Sequence, residues 1–234
     1  MRAAHGVRMR LHRQHIERRM GSMRSFPTSL RHVRPVQPLA FPASDPEWHM
    51  PESKRHHILC VQLFELLTRL VAPDNAVGSD QFVYFDASNP KRCLAPDAFI
   101  KAGVRDSNFD SWKIWEHGSP ELCIEVLARD TSEYLSMKEK RARYRALGVR
   151  ELVVFNFSAR EGKRLQVYDR VRGDLVERVV VGESTPCLVL GELLGHRHEW
   201  FVGPADTLPA ALRLKTKRPL PTQSELIRDL QRKR

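Results

Sequence analysis

Apolar positions recur at helical spacing between Ser53 and Pro73. They are Ile58, Leu59, Val61, Leu63, Phe64, Leu66, Leu67 and Leu70. Apolar residues three or four apart fall on one face of an α-helix. Serine is a common N-cap residue, and proline disrupts a helix interior. The pattern therefore predicts a first core helix that starts after Ser53 and ends before Pro73.

Short apolar runs of strand character follow this helix. They are DQFVYFDA at 80–87, the run at 93–100, LCIEVLA at 122–128 and ELVVFNF at 151–157. Pro96 interrupts the second run, and a proline removes a backbone donor from a sheet ladder. We therefore expect the second strand to lie at a sheet edge or to start at the Pro96-Asp97 step.

A helix from Glu133 to Leu147 is predicted between the last two strands, because Gly148 suits the left-handed position after a helix C-terminus. Strand, helix and strand in this order predict a βαβ unit with parallel strands. Shorter strands are expected at 165–168, 177–181 and 188–190, with a hairpin turn at 172–174. The whole pattern indicates an α/β domain with a mixed central sheet flanked by helices.

Helical geometry distinguishes two lysines of the predicted helix. At about 100° per residue, one apolar stripe contains Met137, Tyr144 and Leu147. Lys140 falls inside that stripe, whereas Lys138 lies on the far side and is expected to face solvent. A lysine on a buried face needs an anionic partner or a water-filled cleft. Lys140 is therefore the better candidate for a functional lysine.

The net charge of +11 is concentrated at the two ends of the chain. Residues 1–40 contain nine Arg and one Glu, and 211–234 contain eight Lys or Arg and two acidic residues, which leaves −3 for 41–210. Basic tails can hold phosphate backbones without reading sequence, but solvated disorder is the commoner case. We predict a basic, disordered extension at 1–45, a folded domain at 46–203 and a basic, mobile tail at 204–234.

Neither a disulfide framework nor a zinc ribbon is indicated. The four cysteines lie far apart and form no CxxC pair or Cys/His cluster. Such cysteines fit a reducing compartment, and no apolar run approaches the roughly 18 residues that cross a bilayer. We expect a soluble cytoplasmic protein without a membrane partner. His56 and His57 are expected to be solvated surface residues, because nothing downstream completes a metal triad with them.

Two acidic residues stand in or beside apolar runs, Asp97 in LAPDAFI and Glu125 in ELCIEVLAR. Carboxylates on two strands would form an oxygen-rich pocket, which suits magnesium or manganese better than zinc. A metal there could activate water against a phosphodiester, with Lys140 offsetting the developing negative charge. The competing structural account is an ion pair of Glu125 with Lys140 or Arg129 and no chemistry.

The order of these motifs resembles the Uma-two family of nucleases, which belongs to the restriction-endonuclease-like superfamily named for its PD-(D/E)xK signature. The matching stretch runs from about residue 50 to about residue 194. The PD aspartate of the family falls on Asp97, and the strand glutamate falls on Glu125. Leu127 stands where the parent superfamily has its lysine. The helix lysine of the family matches Lys140, four residues before Tyr144.

The resemblance implies a restriction-endonuclease-like fold and an endonuclease that depends on Mg²⁺ or Mn²⁺. It implies a nucleic-acid partner, DNA rather than RNA, and a homodimer as one form of assembly. Related folds often take an acid near the metal from the first core helix, which makes Glu52 a weaker third ligand candidate. The favoured interpretation of Glu52 is structural, because an acid in the first turn of a helix stabilises the dipole.

Two other functions remain open from the sequence. One is a catalytically inactive nucleic-acid-binding or regulatory protein that keeps the same scaffold. The other is a nucleic-acid binder that works through its basic tails alone.

Overall fold

The computed structural model describes residues 54–127, 136–157, 159–202, 211–214, 220–221 and 223–233. The predicted extension at 1–45 lies outside these residues. In chain order the helices and strands are α1 (Lys54–Val71), β1 (Ala76–Gly78), β2 (Val83–Tyr84), β3 (Cys93–Leu94), β4 (Ala98–Lys101), β5 (Trp112–Lys113), α2 (Ile114–His117), β6 (Leu122–Leu127), α3 (Met137–Leu147), β7 (Glu151–Asn156), β8 (Leu165–Val171), β9 (Asp174–Glu177), β10 (Ser184–Cys187), α4 (Leu188–Leu194), β11 (His198–Phe201), β12 (Ala211–Leu214) and α5 (Gln223–Arg232).

Six strands form the central sheet in the order β1-β4-β6-β7-β8-β9. β6 and β7 pair in parallel, and every other neighbouring pair in this sheet is antiparallel. Since α3 connects β6 to β7 along the chain, the predicted βαβ unit is confirmed. Two three-stranded sheets, β3-β2-β5 and β10-β11-β12, accompany the central one.

The central sheet lies between α1 and α3. Successive residues of a strand point to opposite faces, so β6 contributes to two separate apolar clusters. Ile124 and Val126 pack in the cluster that contains Leu63 of α1. Cys123 packs in the cluster that contains Tyr144 of α3. The predicted α/β class, a mixed central sheet flanked by helices, is therefore confirmed.

The strand that carries the proline is internal to the sheet. β4 lies between β1 and β6, and it begins at Ala98, directly after the Pro96-Asp97 step. Of the two predicted arrangements, the start at this step is the one observed. Proline lacks the N–H that a ladder position needs, so the ladder begins one residue beyond Asp97.

α3 has a defined signal at each end. The Ser136 hydroxyl accepts the Glu139 N–H at 3.3 Å, and the Glu139 carboxylate accepts the Ser136 N–H at 2.9 Å, which together form a capping box. The predicted start at Glu133 lies outside the described residues, and the described helix begins at Met137. Gly148 follows the helix with φ of 96°, the left-handed position predicted for it.

The chain after β7 differs from the sequence prediction in two places. The predicted hairpin turn is confirmed, with Arg172 and Gly173 both at positive φ between β8 and β9. The strand predicted at 177–181 is wrong, because β9 ends at Glu177. The strand predicted at 188–190 is wrong because these residues begin α4. The buried Glu151 carboxylate accepts the Val189 N–H at 3.0 Å and so satisfies a donor of the first helical turn.

Part of the predicted C-terminal tail is described. β12 pairs with β11, and the Arg69 guanidinium of α1 donates to the Pro221 carbonyl at 2.6 Å, shortly before α5. None of the described helices combines the length and apolarity that crossing a membrane requires.

Candidate active site

Asp97 occupies the position where β6 extends beyond its partner strand. β4 and β6 pair from Ala98 opposite Ile124 to Ile100 opposite Leu122. The N–H of Val126 therefore lies beyond the ladder, and a carboxylate oxygen of Asp97 accepts it at 2.6 Å. The Asp97 side chain thus takes the place of the missing strand backbone, which fixes the direction of its carboxylate.

Glu125 is 3% exposed in the middle of β6, where every residue is buried. One carboxylate oxygen accepts the Lys140 ammonium at 2.7 Å, and the other accepts the Tyr144 hydroxyl. Both partners lie on α3, on the stripe that the sequence predicts to be buried. Lys138 is exposed, as the same helical arithmetic predicts. The helix thus turns one lysine toward a buried acid and the other toward solvent.

Burial is the main influence on the protonation of this acid. It raises the pKa of Glu125 to about 7; the ammonium of Lys140 opposes the rise, and the charge of Asp97 adds to it. Burial and the neighbouring Glu125 charge also hold the pKa of Tyr144 well above its ordinary value. Tyr144 is therefore a neutral hydrogen-bond donor that braces the Glu125 carboxylate.

Cys123 stands two residues before Glu125 on the same face of β6 and is fully buried. Burial holds the pKa of its thiol well above the ordinary value, and the charge of Glu125 adds to this effect. A neutral thiol is a poor metal ligand, so Cys123 belongs to the wall of the site.

His56 is a site residue that the sequence prediction missed. It is 5% exposed on α1, and its imidazole Nε2 lies 3.2 Å from a carboxylate oxygen of Asp97. The Cys60 sulfur lies 3.7 Å from the same ring, one helical turn away. Potential ligand atoms of His56, Cys60 and Asp97 all lie within 4.8 Å of one another. The expectations of a surface His56, and of no Cys/His cluster and no triad, are therefore wrong; His57 is exposed as expected.

The two acidic side chains contact helices on opposite sides of the central sheet, and both contact or belong to β6. Asp97 contacts α1 through His56, and Glu125 contacts α3 through Lys140. Asp97 also binds the N–H of Val126, the residue directly after Glu125. The Asp97 carboxylate therefore lies at the open end of the β4–β6 ladder, near enough to Glu125 for its charge to raise the pKa of Glu125. The Lys140 side chain is 19% exposed, so the site has access to solvent through its cation.

Leu127 and Glu52 are two further positions that the sequence analysis singled out. Leu127, where the parent superfamily carries its lysine, is a buried member of the cluster on the α3 side. Lys140 is thus the lysine that the fold brings to Glu125. Glu52 lies outside the described residues.

Comparisons with known proteins identify the family of the chain. The model of the Uma2 family, described as "Putative restriction endonuclease", matches residues 47–195. A solved structure, described as a putative nuclease belonging to DUF820 from Anabaena variabilis ATCC 29413, is similar at 13% identity with a TM-score of 0.33. That similarity covers 52% of this chain and 70% of the other. No curated protein matches the chain.

Proposed function

Because the chain belongs to the Uma2 family of restriction-endonuclease-type proteins, we propose that it is a divalent-metal-dependent nuclease that hydrolyses phosphodiester bonds in DNA. The observation that carries the proposal is the 2.7 Å contact between Lys140 and the buried Glu125, next to the carboxylate of Asp97. Two acids and a lysine are the minimum set for such chemistry, and here they come from three separate segments of the chain.

The donor atoms fit a small divalent cation. Asp97 and Glu125 are both almost fully buried, and their described cationic partners are the Lys140 ammonium on Glu125 and, when it is protonated, the His56 imidazole on Asp97. Buried negative charge that exceeds its partners is costly and favours a bound cation. Asp97 and Glu125 would hold Mg²⁺ or Mn²⁺, and the His56 imidazole is a nitrogen donor that shifts the preference toward Mn²⁺. When bound, such an ion polarises a phosphoryl oxygen and lowers the pKa of its water.

The protein side chains have separate tasks in this proposal. Lys140 orients the attacking water and offsets negative charge as the phosphorus becomes pentacovalent. Tyr144 donates to Glu125 and keeps its carboxylate in one orientation. The backbone N–H of Val126 does the same for Asp97. These two donors fix the orientation of both carboxylates, which therefore does not depend on hydrogen bonds to solvent.

DNA is proposed over RNA because the family description names restriction endonucleases. We also place the protein in the cytoplasm, since all four cysteines are buried and free, as in a reducing compartment.

One observation favours an alternative without catalysis. Both Glu125 oxygens already have protein partners, Lys140 and Tyr144, as a purely structural ion pair would. In that case the chain would be a nucleic-acid-binding or regulatory protein on the nuclease scaffold.

The experiment that separates the two functions is a substrate panel. Purified full-length protein is incubated with supercoiled plasmid, single-stranded DNA and RNA, each with Mg²⁺, Mn²⁺, Zn²⁺ or a chelator. The proposal predicts plasmid cleavage with Mn²⁺ or Mg²⁺ and none with the chelator. Binding to DNA without cleavage under any metal would support the scaffold alternative and contradict the proposal.

A further inference from the structure

A basic cavity lies between α3, the helix that carries Lys140, and the turn that connects β2 to β3. Its volume is about 280 Å³. The lining residues are Phe85, Lys91, Arg92, Ala142, Arg143 and Ala146. Three of these six side chains are cationic, and none is acidic. The cavity is thus a local concentration of positive charge on a part of the chain, 41–210, whose net charge is −3.

Local contacts hold two of the cations in place without neutralising them. The Arg92 guanidinium stacks 5.2 Å from the centre of the Phe85 ring. Its contact with Asp86 is 3.5 Å long and solvent-exposed, a kind of pair that contributes little. The other oxygen of the Asp86 carboxylate accepts the Ser88 hydroxyl at 2.6 Å and the Ser88 N–H at 2.9 Å. Arg92 therefore keeps its charge available to a ligand.

Arg143 connects the cavity to the strand that leads into the catalytic aspartate. One of its guanidinium nitrogens donates to the carbonyl of Cys93 at 3.3 Å, across to β3. A guanidinium carries five N–H donors in a planar fork, and this contact uses one of them. The others suit the oxygens of a phosphate, which arginine commonly binds in bidentate fashion.

The cavity and the active site share one helix. Arg143 follows Lys140 by three residues, so the two side chains are neighbours on the surface of α3. The volume is below the roughly 300–1,000 Å³ of ordinary small-molecule pockets. A small cationic site on the same helix as Lys140 suits a row of phosphates better than an apolar metabolite.

We propose that Lys91, Arg92 and Arg143 form a backbone-binding site for the nucleic-acid strand that is cleaved at Lys140. The site would hold consecutive phosphates that flank the scissile one, about one per cation, and would not read base sequence. The inference deepens the proposed nuclease function and depends on it for the identity of the ligand.

Binding in chelator tests this site separately from cleavage. A fluorescein-labelled DNA duplex is titrated with full-length protein by fluorescence anisotropy at several salt concentrations between about 50 and 200 mM. The triple variant K91A/R92A/R143Q should bind more weakly, and its plot of log affinity against log salt should be shallower by about 2 to 3. The basic tails are present in every protein and contribute equally to each slope.

Two control proteins separate charge at this site from total charge and from folding. R105A/R150A/R197A removes three exposed arginines that line no part of the cavity, and it should keep the wild-type slope. K91R/R92K/R143K retains the three charges and should also show the wild-type slope.

The possible results distinguish failure of this inference from failure of the proposed nuclease function. An unchanged slope and affinity for K91A/R92A/R143Q would overturn the inference, even if the wild type cleaves DNA. An equal loss in R105A/R150A/R197A would also overturn it. If only the proposed nuclease function is wrong, the wild type will show no cleavage with any metal. The salt plot of K91A/R92A/R143Q will still be shallower than that of the wild type.

Discussion

The carboxylate of Asp97 accepts the backbone N–H of Val126 at 2.6 Å, across 29 residues of sequence. This bond ties the first acid of the site to the residue that follows the second acid, Glu125. It also completes the sheet at the point where β4 has no further backbone to offer. One side chain therefore serves the fold and the proposed chemistry at the same time.

Substitution of Asp97 separates these two roles. Asp97→Ala leaves the buried Val126 N–H without its acceptor, and we expect the free energy of unfolding to fall by about 1–3 kcal/mol. Asp97→Asn keeps an oxygen at that position and should cost less. Both variants should lose cleavage, because a metal prefers the charged carboxylate. Urea unfolding in chelator measures the stability; an Asp97→Ala protein as stable as the wild type would contradict the structural role.

Lys140 and Lys138 form a matched pair on one helix. Lys140→Ala should lower the single-turnover cleavage rate by about 10²- to 10³-fold, since it removes the cation that offsets developing charge. Lys138→Ala removes an exposed charge two residues away and should cleave at nearly the wild-type rate. Quenched-flow or gel assays on labelled duplex measure both rates. Similar rates for the two variants would show that Lys140 has no special role.

The raised pKa of Glu125 predicts a pH dependence of stability in the metal-free protein. The folded protein keeps this proton up to about pH 7, whereas the unfolded chain releases it near the ordinary value of 4.5. The folded state therefore binds more protons in this window, and its stability should fall as pH rises from about 4.5 to 7.

Glu125→Gln isolates that contribution, because glutamine does not titrate. The free energy of unfolding of the wild type relative to the variant, measured in chelator by urea unfolding, should decrease across the same pH range. A difference that stays constant or increases with pH would show that Glu125 titrates normally.

A second ion pair, Arg164 with Glu183, lies away from the proposed site and predicts a pH dependence of stability of the opposite sign. The hydrogen bond from the Arg164 guanidinium holds the pKa of Glu183 below its ordinary value. The pair therefore stabilises the fold at neutral pH, and this contribution disappears as pH falls below about 4.5. Both side chains are about nine-tenths buried.

Glu183→Gln should lower the free energy of unfolding at pH 7 by about 1–3 kcal/mol, and by less at pH 3. The control is Glu192→Gln, because Glu192 and its partner Arg150 are at least half exposed. Such a surface pair contributes about 0–1 kcal/mol. Equal losses in the two variants at pH 7 would contradict the importance of burial.

The position of Lys140 could be predicted from sequence because it depends on local geometry. A helix of known period fixes which of its side chains share a face, and Tyr144 and Leu147 marked the buried one. The start of β4 at Ala98 was one of two arrangements that the sequence left open, and it follows locally from the N–H that Pro96 lacks.

His56 shows where the prediction failed. A single polar residue in this segment suggested a surface position. His56 lies three residues before Leu59 and seven before Leu63, however, so it shares the buried face of α1. Ile58 and Val61, which counted equally as apolar positions, are more than a third exposed. Helical phase, rather than residue type, would have placed His56 beside Asp97.

The start of α4 could not be predicted from its own residues. Leu188 and Val189 have a strand-like composition, and the helix begins there because Glu151, 38 residues earlier, accepts the Val189 N–H. Such a contact is set by the tertiary structure. The same limit applies to the cavity beside α3, whose walls come from two distant segments.

The most direct test of the proposed centre compares wild type and Glu125→Gln in plasmid cleavage with Mn²⁺, beside the Lys138→Ala control. We predict cleavage by the wild type and by Lys138→Ala, and none by Glu125→Gln, although its circular dichroism spectrum should be that of the wild type. Cleavage by Glu125→Gln at the wild-type rate would contradict the assignment of Asp97, Glu125 and Lys140 as the catalytic centre.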